Sequence, residues 1–292
     1  MRRLAMVALT SILLTIPPPA LAASYTLIAF DVPFPDVTFT AASGINDRGV
    51  IVGVYGDSNG EHGFVYRNGQ FSALDVPFAG VTGTSPQGIN NRGQIVGTYR
   101  DDLGEVHGFL YDGREFTPLN VPLARETIPA GINDRGEIVG VYCEGPAGGA
   151  CRPHGFHYHD ARFSTLDAPF AAITATRAFG INNDGQIVGD YDEETGTRPY
   201  FYDDGRFSRL GDLEFSVTGR GINDHGQIVG VFFDGDHHGF LYQKGQFNLL
   251  SFAAGAEALG INNRGQIVGL FFKDGRARGY VATREKDAPR PR

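Results

Sequence analysis

The triplet Gly-Ile-Asn occurs six times in this 292-residue chain, each time followed by a polar turn containing Gly and then by Ile-Val-Gly. The copies begin at Gly44, Gly88, Gly131, Gly180, Gly221 and Gly260, so successive steps are 44, 43, 49, 41 and 39 residues. A repeat of this length is one supersecondary unit copied around a closed or stacked array, because a single unit cannot bury its own apolar faces. What the copies share is scaffold, so function is to be sought where they differ.

Each copy reads as four short strands. In the first copy these end in Gly44-Ile45-Asn46, then run Val50 to Tyr55, His62 to Tyr66 and Phe71 to Val76, all β-branched or aromatic stretches bounded by turn residues. The second and third runs are apolar on both faces, which requires cover on both sides, and a sheet between two copies of itself supplies it. Tight turns such as Asn-Asp-Arg-Gly (46–49) and Arg67-Asn68-Gly69-Gln70 join strands one to two and three to four. The connections from strand two to three and from strand four to the next copy read as long and variable. An up-and-down sheet then places all tight turns on one face and all long loops on the other, where binding is expected.

The mature chain starts out of phase with the repeat. Tyr25 to Phe34 resembles the fourth-strand run that ends Leu74-Asp75-Val76-Pro77-Phe78, whereas the sixth copy stops after its third strand at Arg278 to Val281. Pairing the first strand with the last closes a ring and removes exposed edges. The expectation is an all-β, six-bladed β-propeller with four antiparallel strands per blade, its last blade completed by the N-terminal strand. An open solenoid or β-helix does not explain the offset.

The pattern Gly-Ile-Asn, Gly-x-Ile-Val-Gly, His-Gly-Phe-x-Tyr resembles the bacterial extracellular HAF repeat, named for a His-Ala-Phe triplet. Here Gly63, Gly108, Gly155 and Gly239 stand in place of the Ala. The resemblance covers nearly all of the mature chain and implies an exported repeat protein of propeller type, without a settled activity.

The N-terminus agrees with export. Arg2 and Arg3, the apolar run Leu4 to Ile16 and the small-x-small Ala20-Leu21-Ala22 form a secretory signal over 1–23, too short and proline-broken to span a bilayer. Residues 24–285 then form one propeller domain and 286–292 a disordered tail, and the protein is expected to be secreted or periplasmic and monomeric. Loss of Arg2 and Arg3 takes the formal charge from −8 to −10. An acidic, Trp-free chain with no basic run excludes nucleic acid and anionic lipid as partners on charge grounds. Cys143 and Cys151, eight apart in an exported chain, are expected to form a disulfide.

Candidate sites follow from departures and recurrences. The triplet asparagines (Asn46, Asn90, Asn133, Asn182, Asn223, Asn262) precede tight turns and read as turn caps. His62, His107, His154 and His238, with Arg198 and Arg278 in copies four and six, open strand three one per blade, which suits packing on a neighbouring ring better than a shared ion. His157 and His159 share a strand face and could meet one metal, and Asp234 and Asp236 resemble a short cation loop. No cofactor is demanded, although acidic loops of this kind could take Ca²⁺. The starts of the innermost strands should line the channel, and there Gln87, Arg177, Phe179, Arg220 and Glu257 vary while their triplets do not. Arginines, an acid and an aromatic ring around an axial pocket suit a sugar or a small anion. Replacing Arg177 and Arg220 is expected to weaken ligand binding and barely change stability. The leading function is therefore a binding module for a glycan or an extracellular protein. The alternative, a hydrolase or lyase using the axial pocket with or without a metal, lacks a recognisable catalytic motif.

Overall fold

The computed structural model describes residues 25–145, 151–170, 172–211, 216–250, 253 and 255–284. The expected signal (1–23) and tail (286–292) lie outside the described residues. Every element among the described residues is a strand, so none is a helix long and apolar enough to cross a membrane.

The first strand, β1 (Tyr25–Phe30), is the outermost strand of the last blade. Blade one is β2 (Phe39–Ile45), β3 (Ile51–Asp57), β4 (Gly60–Arg67) and β5 (Gln70–Ala73). Blade two is β6 (Gly83–Ile89), β7 (Ile95–Arg100), β8 (Val106–Tyr111) and β9 (Phe116–Pro118). Blade three is β10 (Glu126–Ile132), β11 (Ile138–Glu144), β12 (Arg152–His159) and β13 (Arg162–Thr165). Blade four is β14 (Ala175–Ile181), β15 (Ile187–Glu193), β16 (Gly196–Asp203) and β17 (Arg206–Arg209). Blade five is β18 (Ser216–Ile222), β19 (Ile228–Phe233), β20 (His237–Gln243) and β21 (Gln246–Leu249). Blade six is β22 (Glu257–Ile261), β23 (Ile267–Lys273) and β24 (Arg276–Arg284), completed by β1, which pairs antiparallel with β24 from Tyr25↔Arg284 to Phe30↔Gly279.

The core is six clusters, one between each pair of neighbouring blades. Val52, Val96, Val139, Val188, Val229 and Val268 are all fully buried, each under the next blade's sheet. The cluster that contains Val268 of blade six also holds Ile51, Tyr55 and Phe64 of blade one, so the hydrophobic core itself closes the ring. The triplet glycine is needed for this approach. A Cβ on Gly44 would lie 2.9 Å from the Gln87 carbonyl oxygen and 3.3 Å from the Cα of Gly88, both in the next blade.

Two closed hydrogen-bond rings reinforce the axis on the tight-turn face. Each triplet asparagine donates its Nδ2 to the backbone carbonyl of the next one, from Asn46 to Asn90 (3.0 Å) around to Asn262 and back to Asn46 (3.0 Å). Its Oδ1 accepts the N–H groups two and four residues on, as at Asn90 (3.1 and 3.0 Å), so these residues are turn caps as the sequence implies. The following residue alternates strictly: Asp47, Asn91, Asp134, Asn183, Asp224, Asn263. Each amide places its Nδ2 between the two flanking carboxylates, Asn91 at 2.8 Å from Asp47 and 2.9 Å from Asp134, and no acid neighbours another acid in the ring.

One expectation about loops needs correction. Ser58 and Asn59 alone join β3 to β4, Glu194 and Thr195 join β15 to β16, and Asp274 and Gly275 join β23 to β24. The long segments of that face are the crossovers between blades, such as 74–82 and 166–174. In blades two and three the strand two-to-three connection is longer, 101–105 and 145–151, and in blade three Cys143 and Cys151 form the expected disulfide.

Candidate functional site

Every innermost strand carries a β-bulge at the same place. In blade one the register moves from Ala42↔Gly53 to Gly44↔Val52, leaving Ser43 as the extra residue. A bulge re-aims the residue it leaves unpaired. The bulge residues are Ser43, Gln87, Ala130, Phe179, Arg220 and Leu259, and they line an axial cavity of about 80 Å³. A ring of six isoleucines, Ile45 to Ile261, lines both this cavity and a second one of about 70 Å³ that opens through the asparagine ring on the tight-turn face.

Gln87, Phe179 and Arg220 are thus brought together as expected, whereas Arg177 and Glu257 are not part of that lining. Both stand two residues before the bulge position, towards the long-loop end, where they are tied to other side chains. Arg177 binds Asp190 (2.8 Å) and Asp192 on β15. Its directly opposite partner Asp190 is 2 % exposed and occupies the place of Val54, Val141 and Val231 in other blades. The hydrogen bond to Asp192, together with Asp190, raises the Arg177 guanidinium further above its ordinary value and holds Asp192 below the usual carboxylate range. Burial pushes Asp190 up, against the pull of Arg177. Arg177 is therefore a brace within blade four, and the expectation that its removal leaves stability untouched does not hold for a group that neutralises a buried acid. Glu257 instead meets His237 of blade five (Nδ1–Oε1 2.7 Å).

Arg220 differs from both. Its guanidinium lies over the Phe179 ring, 4.4 Å from the centroid, and its buried Nε has no hydrogen-bond partner. Burial lowers its pKa, while Asp190 and Glu257 act on it through space and pull the other way. The result is a cation stacked on an aromatic face beside neutral Gln87, Ser43, Ala130 and Leu259. At the bulge and two residues before it, the charged residues Arg177, Arg220 and Glu257 all belong to blades four to six, and the positions of blades one to three that correspond to Arg177 and Glu257 are Ala41, Ser85 and Ile128.

A wider cavity of about 510 Å³ opens on the same face beside the crossover from blade two to three. In three other crossovers a Phe packs on the next blade's Tyr: Phe34 on Tyr55, Phe78 on Tyr99 and Phe170 on Tyr191. The crossover of 119–125 is two residues shorter between its Val121–Thr127 hydrogen bond, and Leu123 stands fully exposed at φ 66° in the place of that Phe. Glu105 and His107 line this cavity, and with Asp101 they bring three donor atoms within 4.8 Å of one another. Nothing in the sequence pattern sets these three residues together. Of the residues the sequence offered for metal, His159 pairs with Glu137 (3.2 Å) and Asp160, His157 stacks on His159 with its centroid 6.0 Å away and its buried Nε2 without a hydrogen-bond partner among the described residues, and Asp234 binds His238 (3.0 Å) while the Asp236 N–H points to Asp234. The histidines that open strand three stack on rings, His62 on Tyr55 and His154 on Tyr142, and latch an acid beyond strand four, Asp75 (3.1 Å) and Asp167 (2.7 Å). In blade six Arg278 latches Asp31 (3.1 Å) in the same way and so pins the end of β1.

No protein-family model matches the chain, and no curated protein matches it significantly in sequence. Its fold is that of known β-propellers. A putative TolB from Agrobacterium tumefaciens is 14% identical with a TM-score of 0.59, the match covering 88% of this chain and 97% of that one. A fucose-specific lectin from Aleuria aurantia is 13% identical with a TM-score of 0.51, covering 89% and 99%. The β-propeller domain of the Trilobed protease from Pyrococcus furiosus, described as having an open velcro topology, is 12% identical with a TM-score of 0.50, covering 84% and 94%. At these identities the likeness is one of fold: the chain is a six-bladed β-propeller.

Proposed function

We propose that this protein is an exported HAF-type binding module that takes a glycan or an extracellular protein on its long-loop face, with an anionic group of the ligand seated against Arg220. The observation that carries this reading is the Arg220 guanidinium, stacked on Phe179 with its Nε unpaired in a cavity whose other bulge residues are neutral. A buried donor without an acceptor costs about 1–3 kcal/mol, and a carboxylate or similar group entering the cavity would relieve it. The cavity is too small for a whole sugar and suits a substituent, while the rest of the ligand would lie on the rim. The fold supports the reading, since one structural neighbour is a fucose-specific lectin. The disulfide and the N-terminal leader support the periplasm or the medium as its compartment. A glycan array probed with the mature protein, Arg220→Leu and Phe179→Ala tests it: binding of acidic glycans by the wild type alone is expected, and equal binding by all three would refute it.

One observation favours the alternative of a hydrolase or lyase. His237 and Glu257 form an acid–base pair at 2.7 Å near the long-loop end of the channel. Release of reducing ends or unsaturated uronates from an acidic polysaccharide, abolished by His237→Ala, would establish that chemistry. Binding without turnover would leave the binding module standing.

A further inference from the structure

The sequence shows no basic run, yet the fold assembles a cationic cavity on the tight-turn face, opposite the proposed ligand face. Between blades five and six a cavity of about 390 Å³ is lined by the bases His225, Lys244, Arg264 and Arg284, the last three cationic, with Gln227 and Gln243 between them. No carboxylate among the described residues lines it, in a chain of formal charge −8. Among the described residues none of these four bases makes an ion pair.

The neutral groups on the wall are turned the same way. Gln243 Oε1 accepts from Gln227 Nε2 (3.0 Å) and from the Arg284 guanidinium (3.2 Å). Gln227 Oε1 accepts from Asn223 Nδ2 (2.8 Å), and the side-chain oxygen of Asn263, also on the wall, accepts from the Asp224 N–H (2.8 Å). All three amide oxygens accept within the protein, so the amide donors left for the cavity are the Gln243 Nε2 group and the second hydrogen of Gln227 Nε2. Arg284 is held in place by its Nε–H to the Tyr25 hydroxyl (3.3 Å), so the last and first strands jointly position it. Asp47 and Asp224 grip Asn263 Nδ2 (2.9 and 2.7 Å) and do not line the cavity.

Lys244 is the most telling residue. It sits at φ 51°, the left-handed position of its turn, where blades one, three and four use Asn68, Asp160 and Asp204. Asn and Asp tolerate that conformation and Lys gains nothing from it. Blade five thus exchanges a favoured, neutral or acidic turn residue for a cation at the cavity rim.

We propose that this cavity binds an anionic group of the phosphate or sulfate class. A bare oxyanion fills only part of it, so the same chemistry is compatible with a free anion or with a sulfate or phosphate ester on a sugar. The test is calorimetric titration of the mature protein with inorganic phosphate, inorganic sulfate and, at matched ionic strength, chloride, followed by a heparin oligosaccharide and its desulfated counterpart. Saturable binding of phosphate or sulfate but not chloride is expected, and a preference for the sulfated oligosaccharide over inorganic sulfate would assign the ester as the source. The double variant Lys244→Asn, Arg264→Gln, which restores the turn residue of blade one, is expected to weaken binding about tenfold or more, since two charge-assisted contacts are lost. Arg220→Leu is expected to leave it unchanged, which separates this cavity from the axial site. A chain ending at Arg284 is expected to bind equally well. Equal heats with chloride, full binding by the double variant, or loss of binding on that truncation would each overturn the proposal.

Discussion

Replacing Asn90 by Ala isolates what the asparagine ring contributes. The side chain is 3 % exposed and makes four hydrogen bonds: from the N–H groups of Arg92 (3.1 Å) and Gln94 (3.0 Å), and to Gln94 Oε1 (2.8 Å) and the Asn133 carbonyl (2.9 Å). Each net bond is worth about 1 kcal/mol, and the Gln94 side chain can turn to water, so a loss of about 3 kcal/mol is expected. For a domain of this size that corresponds to a fall in Tm of about 6–12 °C. Thermal and urea denaturation of the mature protein measure it, with Asn59→Ala on an exposed turn as the control. Because the ring is closed, Asn262→Ala, which breaks the bond back to Asn46, should cost the same. A change of under about 0.5 kcal/mol for Asn90→Ala, the range of ordinary surface substitutions, would refute the reasoning.

Four further outcomes are expected. Deleting residues 24–34 removes β1 and its pairing with β24, and should lower the Tm sharply; an unchanged Tm would mean that the ring does not depend on that strand. Arg177→Ala leaves Asp190 buried without its ion-pair partner and should cost about 3–5 kcal/mol, most of it recovered when Asp190→Val is added, as judged by urea midpoints. Burial holds the His157 imidazole below its ordinary value of 6.5, so the unfolded chain takes up the proton first; stability is complete above that value and declines as pH falls through the lowered one. His157→Leu, the residue at this position in blades two and five, should flatten that part of the pH–stability profile. Reducing the Cys143–Cys151 disulfide should remove at most about 2.5 kcal/mol, the chain-entropy value for so small a loop, and mass spectrometry of the non-reduced protein should show a two-proton deficit.

The blades were legible because the triplet and the alternating strands repeat, and the closure because Tyr25 to Phe34 duplicates a fourth strand. The channel lining was half legible. Strict alternation puts Arg177 and Glu257 in the same series as Phe179 and Arg220, and only the bulge before each triplet glycine singles out the latter pair. Its signal is faint, since no residue type marks the bulge position. The alternation of Asp47, Asn91, Asp134, Asn183, Asp224 and Asn263 stands in the sequence, but it acquires meaning only when the ring brings Asn263 back to Asp47. The cationic cavity was invisible for the same reason: His225, Lys244, Arg264 and Arg284 each look like a solvated turn residue until blades five and six are set side by side.

Whether Arg220 receives the ligand can be read at the atom concerned. The mature protein, labelled with ¹⁵N at arginine, is titrated with the acidic glycan that binds best on the array while the guanidinium Nε–H resonances are followed. A saturable shift at Arg220 that follows the binding isotherm is expected, and none at Arg177, whose guanidinium stays bound to Asp190 and Asp192. Saturated binding with the Arg220 resonance unmoved would contradict that role for Arg220.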